Sequence, residues 1–398
     1  MKTKANNGLL LRLHHCLTPI HRIHNAAILI KGDKILAVGG ASAFQHTQQL
    51  DIIELPGSYA LPGFIDTHIC GAGGYDCMRA NTDDRMDVMS HILARHGVTT
   101  FLPTTQAYER DGLVRIIEAL AEICHSSVPG SVPAGIHIEG PFISRNKHGA
   151  HPAKYIRPID LAEVDDLIHA ADGMLKIFSF APELDDSLPL ISKLCDHNIV
   201  PAMAHTLAGQ ECVEHAVEAG ARRCSHLYNG MEPLQQRKVG LAAVAMMDDR
   251  LWVELIPDGV HIHPGMIDLA CRCMASDKII GISNSTAGAG LKDGVYKHGD
   301  DDIQVHDGRS ELADGTLAGS VSFLDENFRR LLSFSQLSEA ETAACFTLNP
   351  ARSVGLTDRG EIKPGRRADI IVLNQEHEVQ MTVIGGTIVY DNRKAAVA

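Results

Sequence analysis

Eight short apolar runs constrain this chain more than any other feature, because most of them close on a polar side chain and helical patterns separate them. Residues 60–65 lead into Asp66-Thr67-His68, 99–102 follow a helix closed by Gly97, and 136–138 lead to Glu139. Next, 175–180 lead to Pro182-Glu183, 199–204 to His205, 223–225 to His226, 251–255 toward Asp258 and His261, and 279–282 to Ser283-Asn284. Between the runs, apolar residues recur at helical spacing, as in 111–124, 209–219 and 264–275. Strands alternating with helices build parallel βα units. Eight such units in 398 residues predict an α/β fold of the (β/α)8 TIM-barrel type, whose functional side chains stand at the carboxyl ends of the strands.

The two ends of the chain read differently. Residues 26–30 and 35–38 flank the turn Lys31-Gly32-Asp33-Lys34, 369–373 is a strand, and 379–384 and 387–390 flank Gly385-Gly386. Both termini are therefore expected to build one small β-sandwich domain, 1–58 with 355–398, beside a barrel domain of 59–354.

A formal net charge of −13 argues against nucleic acid or an anionic membrane as a general partner, so an anionic substrate would need a local basic pocket. No apolar run approaches the roughly 18 residues of a membrane span. Leu9-Leu10-Leu11 is interrupted at once by Arg12, His14 and His15, which is unlike a signal peptide. The ten cysteines show no disulfide spacing and read as reduced thiols of a cytoplasmic protein. Cys271 and Cys273, two apart on a helix, do not face each other and read as packing residues.

Four of the strand-end residues, His68, Glu139, His205 and His226, are nitrogen or carboxylate donors. One such residue alone would be a polar group at a loop start. Four on one rim predict a divalent metal centre, for which imidazole and carboxylate suit zinc. His137 shares the strand parity of Glu139 one step deeper and reads as a supporting or core residue. Cys70 follows His68 by two, on the same face of a strand; a His-x-Cys metal clip and a small buried thiol are both open readings. Arg237, in Gln235-Gln236-Arg237-Lys238, offers a planar guanidinium suited to phosphate, and Asn229-Gly230 offers loop amides; a solvated surface Arg is the plainer alternative.

The motif Leu61-Pro62-Gly63-Phe64-Ile65-Asp66-Thr67-His68, with Asp369 in Lys363-Pro364-Gly365-Arg366-Arg367-Ala368-Asp369, resembles the amidohydrolase superfamily. Three further stretches resemble the N-acetylglucosamine-6-phosphate deacetylases and their sister N-acetylgalactosamine-6-phosphate deacetylases. They are His137-Ile138-Glu139-Gly140-Pro141-Phe142, Lys147-His148-Gly149-Ala150-His151 and His226-Leu227-Tyr228-Asn229-Gly230-Met231, and the resemblance extends over nearly the whole chain. It implies a metal-dependent hydrolysis of an acetamide, releasing acetate and an amino-sugar 6-phosphate, by a homodimer. Residue by residue, it implies that Glu139, His205 and His226 hold the main metal ion. His68 matches the first position of a His-x-His pair for a second ion, with Cys70 in place of the second His. Ala150, Asn229, Gly230, Arg237, His261 and Leu317-Ala318-Gly319 match phosphosugar contacts, and His151 matches the residue that polarises the acetyl carbonyl.

At one position the chain departs from the family. Asn284 stands where the resemblance calls for the Asp that takes a proton from water and gives one to the leaving amine. An amide keeps the shape of that Asp and cannot cycle a proton near neutral pH. The departure reads either as a substitution introduced to keep substrate intact or as a natural paralogue that has lost the chemistry; in both cases this chain is expected to bind substrate and turn it over poorly. The competing functions are a non-catalytic phosphosugar-binding protein and an amidohydrolase of cyclic amides. Arg237 with Asn229 speaks against the latter, whose neutral substrate has no use for them.

Overall fold

The structure is a computed structural model and describes residues 8–18, 21–44 and 50–395; the remaining positions of the expected N-terminal segment, 1–7, 19–20 and 45–49, lie outside the described residues. Strands Phe64–Ile69, Val98–Thr105, Ile136–Glu139, Leu175–Phe180, Val200–Met203, Arg223–Cys224, Trp252–Leu255 and Ile279–Gly281 follow one another in a parallel sheet. The ring closes just beyond the last strand, where the Asn284 amide donates to the His68 carbonyl at 2.9 Å and the Cys70 amide to the Ser285 carbonyl at 2.8 Å. A helix returns the chain after each strand: Met86–Arg95, Arg110–His125, Leu161–Ala170, Ser187–Asp196, Gln210–Ala219, Leu241–Met247, Pro264–Cys273 and Leu324–Phe334. This is the (β/α)8 barrel that the alternation predicts.

The helices form where the sequence supplies both a cap and a stripe. Glu109 accepts from the Asp111 amide at the start of Arg110–His125, and Leu113, Ile116, Ile117 and Leu120 bury one face at helical spacing. Asp160 caps Leu161–Ala170 in the same way, accepting from Ala162 and Glu163.

The first apolar run divides between two structures. Residues 60–62 belong to the strand Asp51–Pro62, which runs past position 58 and pairs with Ile370–Leu373 of the terminal sheet. The barrel strand begins at Phe64 and extends beyond His68, so His68 lies within a strand and not at its mouth. Gly63 is the crossing point. Its amide donates to the Asp369 carbonyl at 2.9 Å, and a Cβ there would stand 2.2 Å from the Thr99 side chain.

The terminal segments form one continuous seven-stranded sheet, in the order Thr387–Asp391, Val379–Ile384, Ile370–Leu373, Asp51–Pro62, Leu9–Leu17, Arg22–Lys31, Lys34–Gly40. Its edge rolls back on the chain, where the Ile35 amide donates to the Arg366 carbonyl at 2.9 Å. The period of two serves two cores. Leu9, Leu11, Leu13, Ile370 and Val372 pack inside the rolled sheet, while Tyr59, Leu61, Ile371 and Leu373 pack with the barrel.

One element was not foreseen. After the eighth strand the chain makes a three-stranded antiparallel sheet, Gly294–His298, Asp301–His306 and Arg309–Glu311, before its helix. All ten cysteines are free thiols, with Cys271 buried and Cys273 exposed. Among the described residues no helix is long and apolar enough to cross a membrane.

Candidate active site

Glu139 is the last residue of its strand, and His205 and His226 lie just beyond theirs. Both histidines adopt positive φ, 45° and 30°, as do Tyr228 at 74° and Asn284 at 49°. Left-handed backbone is costly for such side chains and concentrates where function demands it. Here it turns the chain sharply at the barrel mouth.

Ligand atoms of Glu139, His205 and His226 all lie within 4.8 Å of one another. Glu139 Oε1 is 2.8 Å from His226 Nε2 and 3.4 Å from His205 Nε2. The far side of each ring is already committed. His205 Nδ1 donates to the Lys147 carbonyl at 2.7 Å and His226 Nδ1 to the Asn229 carbonyl at 3.1 Å. A carbonyl only accepts, so each Nδ1 carries a proton and each ring turns its Nε2 toward the carboxylate. Two imidazole nitrogens converging with a carboxylate form a donor set that could hold a divalent cation.

His151 has the opposite tautomer. Its Nδ1 accepts from the Ala107 amide at 3.0 Å, so Nε2 carries the hydrogen, 3.3 Å from Glu139 Oε2. Burial pushes its pKa down to about 4, against the pull of Glu139. His151 therefore presents a neutral N–H donor beside the cluster.

These groups open into a cavity of about 260 Å³. Of the residues singled out in the sequence, Cys70, Ala150, Asn229, Gly230, His261, Asn284, Leu317 and Gly319 line it together with Glu139, His151, His205 and His226. Glycine is required at 230, where φ is 61° and a Cβ would stand 2.7 Å from His205 Nδ1. His261 donates from Nδ1 to Asp258 Oδ2 at 2.7 Å.

Three residues singled out in the sequence, Arg237, Ala318 and His68, do not line the cavity. Arg237 is exposed in the loop after Gly230 and does not line the cavity. Ala318 is buried behind its neighbours, its amide donating to the Ser310 carbonyl. His68 is fully buried inside its strand, with its Nε2 3.5 Å from Glu139 Oε2. Cys70 turns toward Asn284, its Sγ 4.0 Å from Oδ1, and joins no converging set of three donors among the described residues. The strand ends at Ile69, and the Cys70 amide bonds across the barrel seam to the Ser285 carbonyl.

Beneath the cavity is a polar core that sequence reading missed. Glu254, fully buried, accepts from His68 Nδ1 at 3.0 Å, from the His226 amide at 3.1 Å and from Arg223 Nε at 2.8 Å. Burial would raise its pKa, and Arg223 and His68 outweigh this to hold it well below the usual carboxylate range. Burial likewise works against charge on His68, and Glu139 and Glu254 outweigh it, holding its pKa up at about 10. His137 lies beside them as a core residue, its Nδ1 donating to the Thr67 carbonyl and its Nε2 2.7 Å from Ser179 Oγ. Gln106 and His298 also line the cavity without having been singled out. The only sequence sign of Glu254 is one charge inside an apolar run; His298 belongs to the unforeseen insertion.

The model of the amidohydrolase family matches residues 59–389. The N-acetylglucosamine-6-phosphate deacetylase of Bacillus subtilis (strain 168) is 37% identical over 342 residues, 85% of this chain and 86% of that protein. The N-acetylgalactosamine-6-phosphate deacetylase of Escherichia coli O157:H7 is 33% identical, over 85% of this chain and 90% of that one. Among solved structures, a mutant of the Mycobacterium smegmatis N-acetyl-D-glucosamine-6-phosphate deacetylase, in complex with N-acetyl-D-glucosamine-6-phosphate, superposes with a TM-score of 0.90 at 30% identity, covering 96% of this chain and 99% of that one.

Proposed function

Since this chain belongs to the amidohydrolase family, within its N-acetylhexosamine-6-phosphate deacetylases, we propose that its cavity binds an N-acetylhexosamine 6-phosphate and hydrolyses the acetamide to acetate and the amino-sugar phosphate. The observation that carries this reading is the convergence of Glu139 with the Nε2 atoms of His205 and His226, their other nitrogens locked on carbonyls. These three residues hold the divalent cation, and the mixed imidazole and carboxylate set suits zinc. Such a cation, when bound, polarises the carbonyl and acidifies water. His151 donates its Nε2–H to the oxygen on which charge develops. Asn229, Gly230, His261 and the 317–319 loop orient the sugar phosphate. Arg237 makes no ion pair with a described residue, so its guanidinium is free for the 6-phosphate.

Asn284 faces this cavity as an amide. It hydrogen-bonds a water and does not carry its proton away, so turnover is slower than with a carboxylate there. The decisive experiment measures acetate release from both the gluco and the galacto sugar phosphate, for the native chain and Asn284→Asp, together with metal content. At least one equivalent of a divalent ion is expected, with activity lost on chelation and restored by zinc. Asn284→Asp is expected to raise the turnover number by at least roughly 10², the low end of what a positioned proton-transfer group contributes. No bound metal after zinc soaking would sink the metal assignment, and equal rates for the two proteins would sink the role given to position 284. A phosphosugar-binding protein without catalysis is the second reading, favoured by Asn284 alone; it requires tight binding with no acetate release from either protein.

A further inference from the structure

We propose that His298 is the proton acceptor of this cavity, taking the attacking water's proton that the amide of Asn284 cannot take. The inference rests on the deacetylase reading.

The other groups facing the cavity are spoken for. Glu139, His205 and His226 turn their free atoms on one another. His151 has its only lone-pair nitrogen filled by the Ala107 amide. His261 holds Asp258 through Nδ1 and on the deacetylase reading orients the sugar phosphate with its other face, and burial raises the pKa of the Cys70 thiol. His298 lines the same cavity as Asn284, and its ring makes no hydrogen bond with a described residue.

The turn that carries His298 is built to hold it there. The Gln106 side-chain amide donates to the His298 carbonyl at 3.1 Å. The Gly299 amide donates to Asp76 Oδ2 at 2.6 Å. Both anchors are buried residues of the barrel mouth. Gly299 has φ +61°, and a Cβ there would lie 1.9 Å from Gln106 Nε2, so a side chain would have to displace the Gln106 amide from the His298 carbonyl. The groups whose charges act on the ring are Asp76 below the turn, Asp301 across the hairpin, and Glu139 and His151 from the cavity wall. Burial lowers the ring's affinity for a proton, and the carboxylates counter it in part, so the neutral imidazole keeps an acceptor nitrogen.

The step balances without another reactant. The water oxygen bonds to the acetyl carbon while one of its protons moves to the imidazole. The C–N bond then breaks with its electron pair on nitrogen, which takes the proton from the imidazolium. The acid's remaining proton passes to the released amine, so acetate and the protonated amino sugar leave, and the ring is neutral again.

The test uses the metal-loaded full chain with N-acetylglucosamine 6-phosphate and N-acetylgalactosamine 6-phosphate. His298→Ala is expected to lower kcat by about 10²-fold, within the range for general-base catalysis, with KM shifted far less. Added imidazole should restore turnover, and the native chain should lose activity on the acid side along a limb that His298→Ala lacks. The same substitution placed on Asn284→Asp should cost at least tenfold less than it does on the native chain. Turnover of His298→Ala equal to that of the native chain would overturn the proposal. So would a loss that imidazole does not rescue, which would mark a structural role. Acetate release by Asn284→Asp but none by the native chain would overturn the role of His298 and leave the deacetylase reading intact. No release by either would remove both.

Discussion

Glu254 joins the cavity to the barrel's interior, since it holds His68, the backbone of His226 and the fully buried Arg223 at once. Removing its charge strands the guanidinium, whose remaining partners are the hydroxyls of Ser353 and Thr67. A buried ion pair broken on one side costs about 3–5 kcal/mol. Glu254→Gln is expected to lose that much in urea-induced unfolding, and a variant as stable as the native chain would show that the pair contributes little. Arg237 makes a different prediction, because it is exposed and unpaired. Arg237→Ala is expected to leave stability unchanged and to weaken binding of the 6-phosphate sugar by about 1.5–3 kcal/mol, the scale of a charged hydrogen bond. Calorimetry with the phosphorylated and unphosphorylated sugar decides it, since equal losses for both would remove the phosphate role. Glu139, His205 and His226 were legible because a donor at the end of an apolar run stands out. Glu254 was not, because one charge within Trp252–Leu255 gives no hint of its partner Arg223 on the preceding barrel strand.

At the scale of elements, close packing under the eighth strand is the most exacting feature. A Cβ on Gly281 would stand 2.1 Å from the ring of Phe346, which packs edge-on to Phe64 and Phe328 with centroids 5.9 and 6.0 Å away. All three rings are fully buried, so the neighbours cannot yield cheaply. Gly281→Ala is expected to cost about 1–3 kcal/mol through overpacking, read as a lowered thermal midpoint; an unchanged midpoint would show that the Phe346 ring moves freely. The barrel itself was legible because eight apolar runs and intervening helical stripes repeat one pattern. Two boundaries were not. The run at 60–65 is continuous in apolar character, and it divides between two sheets at Gly63, which packs on Thr99 and bonds the Asp369 carbonyl. The insertion at 294–311 has short, half-buried and mostly polar strands, so no apolar run announces it, and it is this insertion that brings His298 to the cavity.

At the scale of the whole molecule, the sheet built from both termini gathers groups that are far apart in the chain. His15 stacks on Tyr59 with centroids 4.7 Å apart, Tyr59 hydrogen-bonds His377, and His14 and His24 lie alongside. No local pattern predicts that assembly, although the strands themselves were plain. Burial, with Arg22, His14 and His24 adding to it, pushes the pKa of His15 down to about 4 from an ordinary value of 6.5. Burial, with His68 adding to it, pushes that of His137 down to about 3. The sign of the effect follows from proton counting. Above about 6.5 both rings are neutral in the folded and the unfolded chain, and the stability is fully present. As the pH falls below that value the unfolded chain binds protons that the folded chain refuses, so stability declines. The decline from His15 is complete near pH 4, and that from His137 continues to about pH 3. His15→Phe keeps a ring against Tyr59 and removes the titrating group. Urea midpoints measured from pH 8 down to pH 4 are expected to fall less steeply for this variant between 6.5 and 4, with the His137 contribution still present. Parallel curves for the two proteins would show that His15 takes up its proton as readily in the folded chain as in the unfolded one.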